Sequence, residues 1–131
     1  MREYKEVILT EVELRQKCAE WQKVLRLEDW DVKVKLKRGR DLELGGAGEC
    51  GWTIEKKQAL IKITDSADYP PDCIIPQDME RTLVHELLHL HFAPFDDFES
   101  GTAEDTATEQ AIHFISCALV DLARRTPKGE C

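Results

Sequence analysis

Two histidines and a glutamate in the second half of the chain form the sequence His85-Glu86-Leu87-Leu88-His89, the HExxH pattern. In a helix, residues four apart lie on the same face, so the two imidazoles can bind one metal ion. A glutamate beside the first histidine can then take a proton from a water molecule on that metal. The spacing predicts a hydrolytic zinc site, although two core histidines that are hydrogen-bonded to protein groups would give the same pattern.

The residues around this motif predict a buried helix that can hold it. Apolar side chains recur at helical spacing through the segment: Met79, Leu83, Val84, Leu87, Leu88 and Leu90. Pro76 suits the first turn of such a helix, and Pro94 ends it after Phe92. Histidines within an apolar helix need partners, because an unsatisfied buried polar group is costly. His91 is expected to lie in solvent at the helix end.

A catalytic zinc ion usually has three protein ligands, so the motif requires a third ligand elsewhere. Residues 91–101 are predicted to form a loop, and Ser100 or Thr102 to cap a second helix with an apolar 3.6-residue pattern. Glu109 lies within this pattern, where burying a carboxylate is costly unless it binds a cation. If the two helices pack antiparallel, Glu109 faces the histidine pair, and it is the predicted third ligand.

Two other residues are alternatives for the third ligand. Asp96 lies near the position of the third ligand in sites with a short extension after the motif, but Phe92 replaces the glycine that their turn requires. His113 lies one turn after Glu109 and can bind the metal or stabilise an oxyanion. Asp105, one turn before Glu109, can orient a ligand histidine or simply favour the helix N-terminus.

With these residues the chain resembles the gluzincin class of zinc metallopeptidases, in which a glutamate on a following helix completes the HExxH pair. The segment Ala107–Ile112 is similar to the glutamate helix of small single-domain gluzincins from phage and bacterial genomes. It is also similar, more distantly, to the ImmA/IrrE-type peptidases. The resemblance covers about residues 50–125 and implies a zincin-like fold.

The resemblance implies hydrolysis of peptide bonds in a peptide or protein substrate with the help of a bound Zn²⁺ ion. It assigns the metal to three ligands: His85, His89 and Glu109. Glu86 is then the general base, and His113 or Tyr69 stabilises the oxyanion. A non-catalytic zinc-stabilised interaction module, of phage or mobile-element origin, is the alternative; it would need the metal ligands but would have no use for a base at Glu86.

Alternation and breaker residues predict the elements that must position this site. Residues 11–27 have the pattern of an amphipathic helix, and residues 29–37, 50–55 and 59–64 have that of strands. The order predicts one α+β domain over residues 1–131, with a small twisted, mainly antiparallel sheet packed against an N-terminal helix, the motif helix and the glutamate helix. The resemblance further implies that a substrate peptide pairs with the exposed edge of residues 59–64.

Charge and cysteine content argue against several classes of function. The net charge of −8 disfavours a broad nucleic-acid or anionic-membrane surface, and Lys33–Arg38 fits the solvated face of a strand. No segment is apolar for the length of a transmembrane helix, and residues 1–6 lack the apolar core of a signal peptide, which predicts a cytoplasmic protein. Five cysteines without CxxC spacing favour neither a disulfide framework nor a cysteine zinc site.

Overall fold

The computed structural model describes residues 4–43 and 45–125, which form a small sheet with helices packed against it. The α-helices are α1 (Glu11–Val24), α2 (Met79–Phe92) and α3 (Ala103–Arg125), and the strands are β1 (Asp31–Lys37), β2 (Gly48–Thr53) and β3 (Gln58–Thr64). This is the predicted order of elements, and the α+β class is confirmed. None of the described helices has both the length and the apolar character needed to cross a membrane.

The sheet has β3 at its centre, between β1 and β2. A tight turn at residues 54–57, in which Lys57 has a φ of 49°, reverses the chain so that β2 and β3 pair antiparallel. The strand β1 lies on the other side of β3 and pairs with it in parallel. The sheet is therefore mixed, and the prediction of a mainly antiparallel sheet is wrong. Periodicity along a strand reports which side chains are buried but carries no information about the direction of the neighbouring strand.

This strand order leaves an edge of β2, and not of β3, open to a substrate peptide. Both edges of β3 are paired, so the prediction that a peptide pairs with residues 59–64 is wrong. The strand β2 packs against α2 and, among the described residues, pairs only with β3. Its free edge therefore lies beside the motif helix. The predicted range 50–55 misses this strand by two residues, because the chain enters the sheet at Gly48 and turns after Thr53.

A contact with the N-terminal segment fixes the start of α2. The Val7 amide donates to the Gln77 carbonyl, and the Met79 amide donates to the Val7 carbonyl, both at 2.9 Å. This bridge holds residues 77–79 beside the N-terminal segment, so the helix begins at Met79 with Asp78 as its N-cap. Pro76 consequently precedes the helix and does not lie in its first turn as predicted.

The motif helix α2 is the central element of the core and packs against α1, α3, β2 and β3. Its buried side chains point in several directions around the helix axis: Met79, Leu83, Val84, Leu87, Leu88 and Leu90. Burying a side chain of this size contributes about 1.5–3 kcal/mol, so these contacts hold the helix firmly in place. The prediction of a helix buried on much of its circumference is confirmed, while His85 and His89 are among the residues of α2 that stay partly open.

The long helix α3 packs mainly on α2, through one face. The Asp105 amide donates to the Thr102 hydroxyl at 3.2 Å, so Thr102, one of the two predicted caps, precedes the helix. The buried residues of α3 are Ile112, Ser116, Cys117 and Val120. The 3.6-residue pattern of this helix also predicts burial of Phe114 and Ile115, which are 54% and 41% exposed. The predicted apolar face was too wide because a helix with one main neighbour buries only one stripe.

Candidate metal centre

Helical spacing brings the two motif histidines together on one face of α2. The ring centroids of His85 and His89 are 5.4 Å apart, and their side chains are 22% and 12% exposed. Both rings direct Nε2 towards the neighbouring helix α3. The local pattern was sufficient to predict this pairing, because it depends only on the geometry of one helix.

The helix α3 supplies a carboxylate that spans both rings. Glu109 Oε2 lies 3.3 Å from His85 Nε2, and Glu109 Oε1 lies 3.2 Å from His89 Nε2. The helices run antiparallel, since Asp78 at the start of α2 binds Arg124 near the end of α3. One ligand atom from each of the three residues lies within 4.8 Å of the other two, and no other such group occurs within residues 4–43 and 45–125. The predicted three residues are therefore brought together.

The reason for choosing Glu109 needs correction, although its location was predicted correctly. The prediction placed this carboxylate in a buried apolar environment, whereas its side chain is 47% exposed. Glu109 lies at the rim of the α2–α3 contact, where water reaches one side of it. What distinguishes it is its position opposite two Nε2 atoms, which no periodicity in α3 could reveal.

The protonation of His85 fits a metal site. Burial lowers the pKa of His85, as do the neighbouring His89 and, more weakly, His113, whereas the carboxylate of Glu109 acts in the opposite direction. A lowered pKa favours neutral imidazole, the form whose lone pair binds a metal. Two imidazoles and one carboxylate at this spacing are the donor set of many catalytic zinc sites. The residues present therefore fit a zinc ion.

Glu86 lies directly beside this cluster and is buried, with 7% of its surface exposed. Its Oε1 is 4.0 Å from His89 Nε2. Burial, followed by the negative charges of Glu109 and Glu49, raises the pKa of Glu86 to about 8. A cation held by the neighbouring ligands would lower that pKa again, because an opposite charge favours the ionised form. Glu86 is thus placed so that a metal ion would turn it from a neutral acid into a base.

His113 and Tyr69, the candidates for the oxyanion, lie near the cluster without joining it. The ring centroid of His113 is 6.4 Å from that of His85, and its Nε2 is 3.8 Å from the Cys117 sulfur. The Tyr69 hydroxyl donates to the Ile75 carbonyl at 3.0 Å. Both residues line the same cavity as Glu86.

The remaining candidate residues have other contacts. Asp96 is absent from the three-residue cluster and lines the groove in front of it. Asp105 accepts a hydrogen bond from the Gly101 amide at 3.0 Å, which stabilises the loop before α3, so no contact supports a role in orienting a histidine. His91 Nε2 lies 2.6 Å from the Leu25 carbonyl, at the end of α1. The prediction that His91 lies exposed to solvent at the helix end is confirmed, and one of its ring nitrogens also contacts α1.

Two residues of β2 border the site and were not singled out from the sequence. Trp52 stacks against His89 with ring centroids 6.2 Å apart and an interplanar angle of 22°. The other ring nitrogen of His89, Nδ1, is buried without a hydrogen-bond partner among the described residues. Gly48 lies at the opposite end of the strand, against Glu86. Alternation along β2 would have placed positions 48 and 52 on one face if the strand had been predicted to begin at Gly48.

Two cavities meet at the cluster. One, of about 340 Å³, lies between the first half of α2, residues 69–76 and the N-terminal segment, and includes Arg81. The other, of about 700 Å³, is a groove that runs along Gly48–Trp52 and extends to Phe98. Among the described residues, those that line both cavities are Gly48, His85 and Glu86.

The arrangement can support hydrolysis at a bound metal. It combines three candidate ligands, a buried carboxyl beside them, and open space on both sides for a substrate. Comparisons with protein-family models, curated proteins and solved structures give no match to this chain.

Proposed function

We propose that this protein is a zincin-like, gluzincin-type metallopeptidase that hydrolyses peptide bonds in a protein substrate with a bound Zn²⁺ ion. The observation that carries the proposal is the cluster of His85, His89 and Glu109 beside the buried Glu86. A purely structural site would not need a buried acid next to the ligands. The mixed nitrogen and oxygen donor set favours zinc over calcium or magnesium, which prefer oxygen ligands alone.

In the proposed reaction, His85, His89 and Glu109 hold the ion. When bound, zinc would polarise the substrate carbonyl and make water a better nucleophile at neutral pH. Glu86 accepts the proton of the attacking water and later donates it to the leaving amine. Burial helps Glu86 in the first step, because a carboxylate in a poorly solvated environment binds a proton more strongly. His113 or Tyr69 stabilises the oxyanion.

The substrate lies in the groove along β2 in this proposal. An extended peptide can add to the free edge of β2 as a further strand, with backbone hydrogen bonds that do not depend on its sequence. Such binding requires a segment that is unfolded or exposed in its own protein. The large, open volume of the groove supports a flexible protein segment over a small molecule as the substrate.

Metal analysis and one variant test this proposal. Protein purified without a metal-affinity step should contain about one zinc per chain. Glu86→Gln should keep that zinc and lose hydrolysis of unfolded casein by at least about 100-fold, because it removes the base while preserving the size of the side chain. Glu104→Gln, an exposed change of the same charge on α3, is the matched control and should keep both.

Two results would contradict the proposal. The first is a wild-type protein that binds no zinc after its addition at neutral pH. The second is a zinc-loaded Glu86→Gln variant that hydrolyses casein as fast as wild type. A zinc-loaded wild type without hydrolytic activity would instead favour the non-catalytic zinc-stabilised module.

A further inference from the structure

Gly48 is located where the two cavities meet. It lines both cavities together with the candidate ligand His85 and the candidate base Glu86. A peptide that occupies both cavities must therefore pass over these three residues. Gly48 is the only one of the three that belongs to the sheet, so the width of this passage depends on how closely β2 approaches α2.

The approach at Gly48 leaves no room for a side chain. A Cβ atom on Gly48 would lie 2.8 Å from the Thr82 Cγ2 atom, 3.0 Å from the Lys62 carbonyl oxygen and 3.6 Å from the Glu86 Cγ atom. Thr82 and Glu86 are four residues apart and so form one face of α2. The Lys62 oxygen belongs to the backbone of β3 and cannot rotate away. An alanine here would press on α2 through Thr82 and on the backbone of β3 through Lys62, so β2 would have to shift.

A second glycine in the same strand has a different environment. A Cβ atom on Gly51 would have no other atom within 4 Å. Neither glycine has a positive φ, so both backbone conformations are open to alanine. The two positions therefore differ in steric contact, with α2 and with the Lys62 carbonyl oxygen of β3, which makes Gly51→Ala a matched control for placing alanine in β2.

We propose that Gly48 is a positioning residue: it sets the distance between β2 and α2 and so fixes Glu86 beside the passage through which the substrate crosses. This inference rests on the proposed function and adds a residue that binds neither metal nor proton. The ligand nitrogens of His85 and His89 face Glu109 on α3, whereas a Cβ atom on Gly48 would meet Thr82 and Glu86. Alanine at position 48 should thus disturb catalysis more than metal binding.

The test compares Gly48→Ala with Gly51→Ala, Thr82→Ser and the double variant Gly48→Ala/Thr82→Ser, all as zinc-loaded full-length protein. Gly48→Ala should keep one zinc per chain and lose about 10- to 100-fold in kcat, because displacements of about 1 Å have effects of this size. Gly51→Ala should lose less. Thr82→Ser removes Cγ2, the nearest clashing atom, so the double variant should recover part of the lost kcat.

The amide chemical shifts of Thr82 and Glu86, followed by NMR, provide a readout that does not need activity. They should move more in Gly48→Ala than in Gly51→Ala, and Thr82→Ser should reverse part of the change. Equal shifts in the two alanine variants would overturn the positioning role, and so would an unchanged kcat in Gly48→Ala. If wild type hydrolyses nothing, the proposed function fails, and the NMR comparison still decides whether Gly48 sets the position of Glu86.

Discussion

Replacing Glu109 by glutamine is the sharpest test of the metal centre, because it removes one candidate ligand charge and little else. The side chain keeps its shape, and its half-exposed position at the rim of α3 means that no buried packing is lost. In the metal-free protein the change should lower the free energy of unfolding by no more than about 0.5 kcal/mol, as is usual for exposed pairs. The effect should therefore appear only when zinc is present.

The size of that effect follows from linkage between binding and folding. Zinc at about 1,000 times its Kd stabilises the folded state by about 4 kcal/mol, provided that the unfolded chain does not bind it. For 131 residues the usual entropy of unfolding converts this into a rise in Tm of about 15 °C. Loss of a direct ligand should weaken affinity by at least about 100-fold, since even outer-sphere partners contribute about 10- to 100-fold. The zinc-induced rise should then fall to about 5 °C.

Calorimetric scans with chelator and with zinc measure both values in the same preparation. Glu104→Gln removes the same charge from an exposed position of the same helix, and should behave as wild type. A zinc-induced rise in Glu109→Gln equal to that of wild type would show that Glu109 is not a ligand. In that case His113, whose ring lies beside His85, or Asp96 in the groove would have to be tested in the same way.

The remaining predictions concern the scaffold and the thiols. Asp78→Ala should lower the free energy of unfolding by about 3 kcal/mol in urea titrations. The substitution removes the N-cap of α2 and leaves Arg124 without its bidentate partner. A loss of stability below about 1 kcal/mol would contradict this. Burial raises the pKa of Cys50 to about 12 and that of Cys18 to about 11. An alkylating reagent at pH 8 should therefore modify the exposed Cys73 before Cys18 and Cys50. Mass spectrometry that finds Cys50 modified as fast as Cys73 would refute the burial of Cys50. A thiol in the unfolded chain ionises near pH 8.5, below the pKa of Cys50 or Cys18 in the folded protein, so above this pH the unfolded chain binds fewer protons than the folded one. The free energy of unfolding should therefore fall as the pH rises above about 8.5. This fall should be smaller in Cys50→Ala than in wild type.

The main corrections to the sequence-based predictions concern relations between distant segments. The start of α2 moved to Met79 because Val7, more than 70 residues earlier in the chain, bonds to it. The pairing of β1 with β3 is parallel although nothing in either strand's alternation indicates a direction. The partial exposure of Phe114 likewise depends on how many neighbours α3 has, which its own pattern does not record.

What the sequence by itself determined is the local part of the site. The spacing of His85, Glu86 and His89 fixes their relative positions, because one helical turn sets the distance between residues four apart. The surrounding apolar positions determined that this helix would be buried. These features need only the fixed geometry of a helix and the preference of apolar side chains for the interior.

Only the tertiary structure decided which groups meet that helix. Glu109 lies opposite both Nε2 atoms because α3 packs antiparallel at one particular register along α2. Gly48 reaches Glu86 because β2, at the edge of the sheet, packs against α2. Such distances result from the summed packing of many side chains across the core, and shifting one element by a single residue would change every one of them.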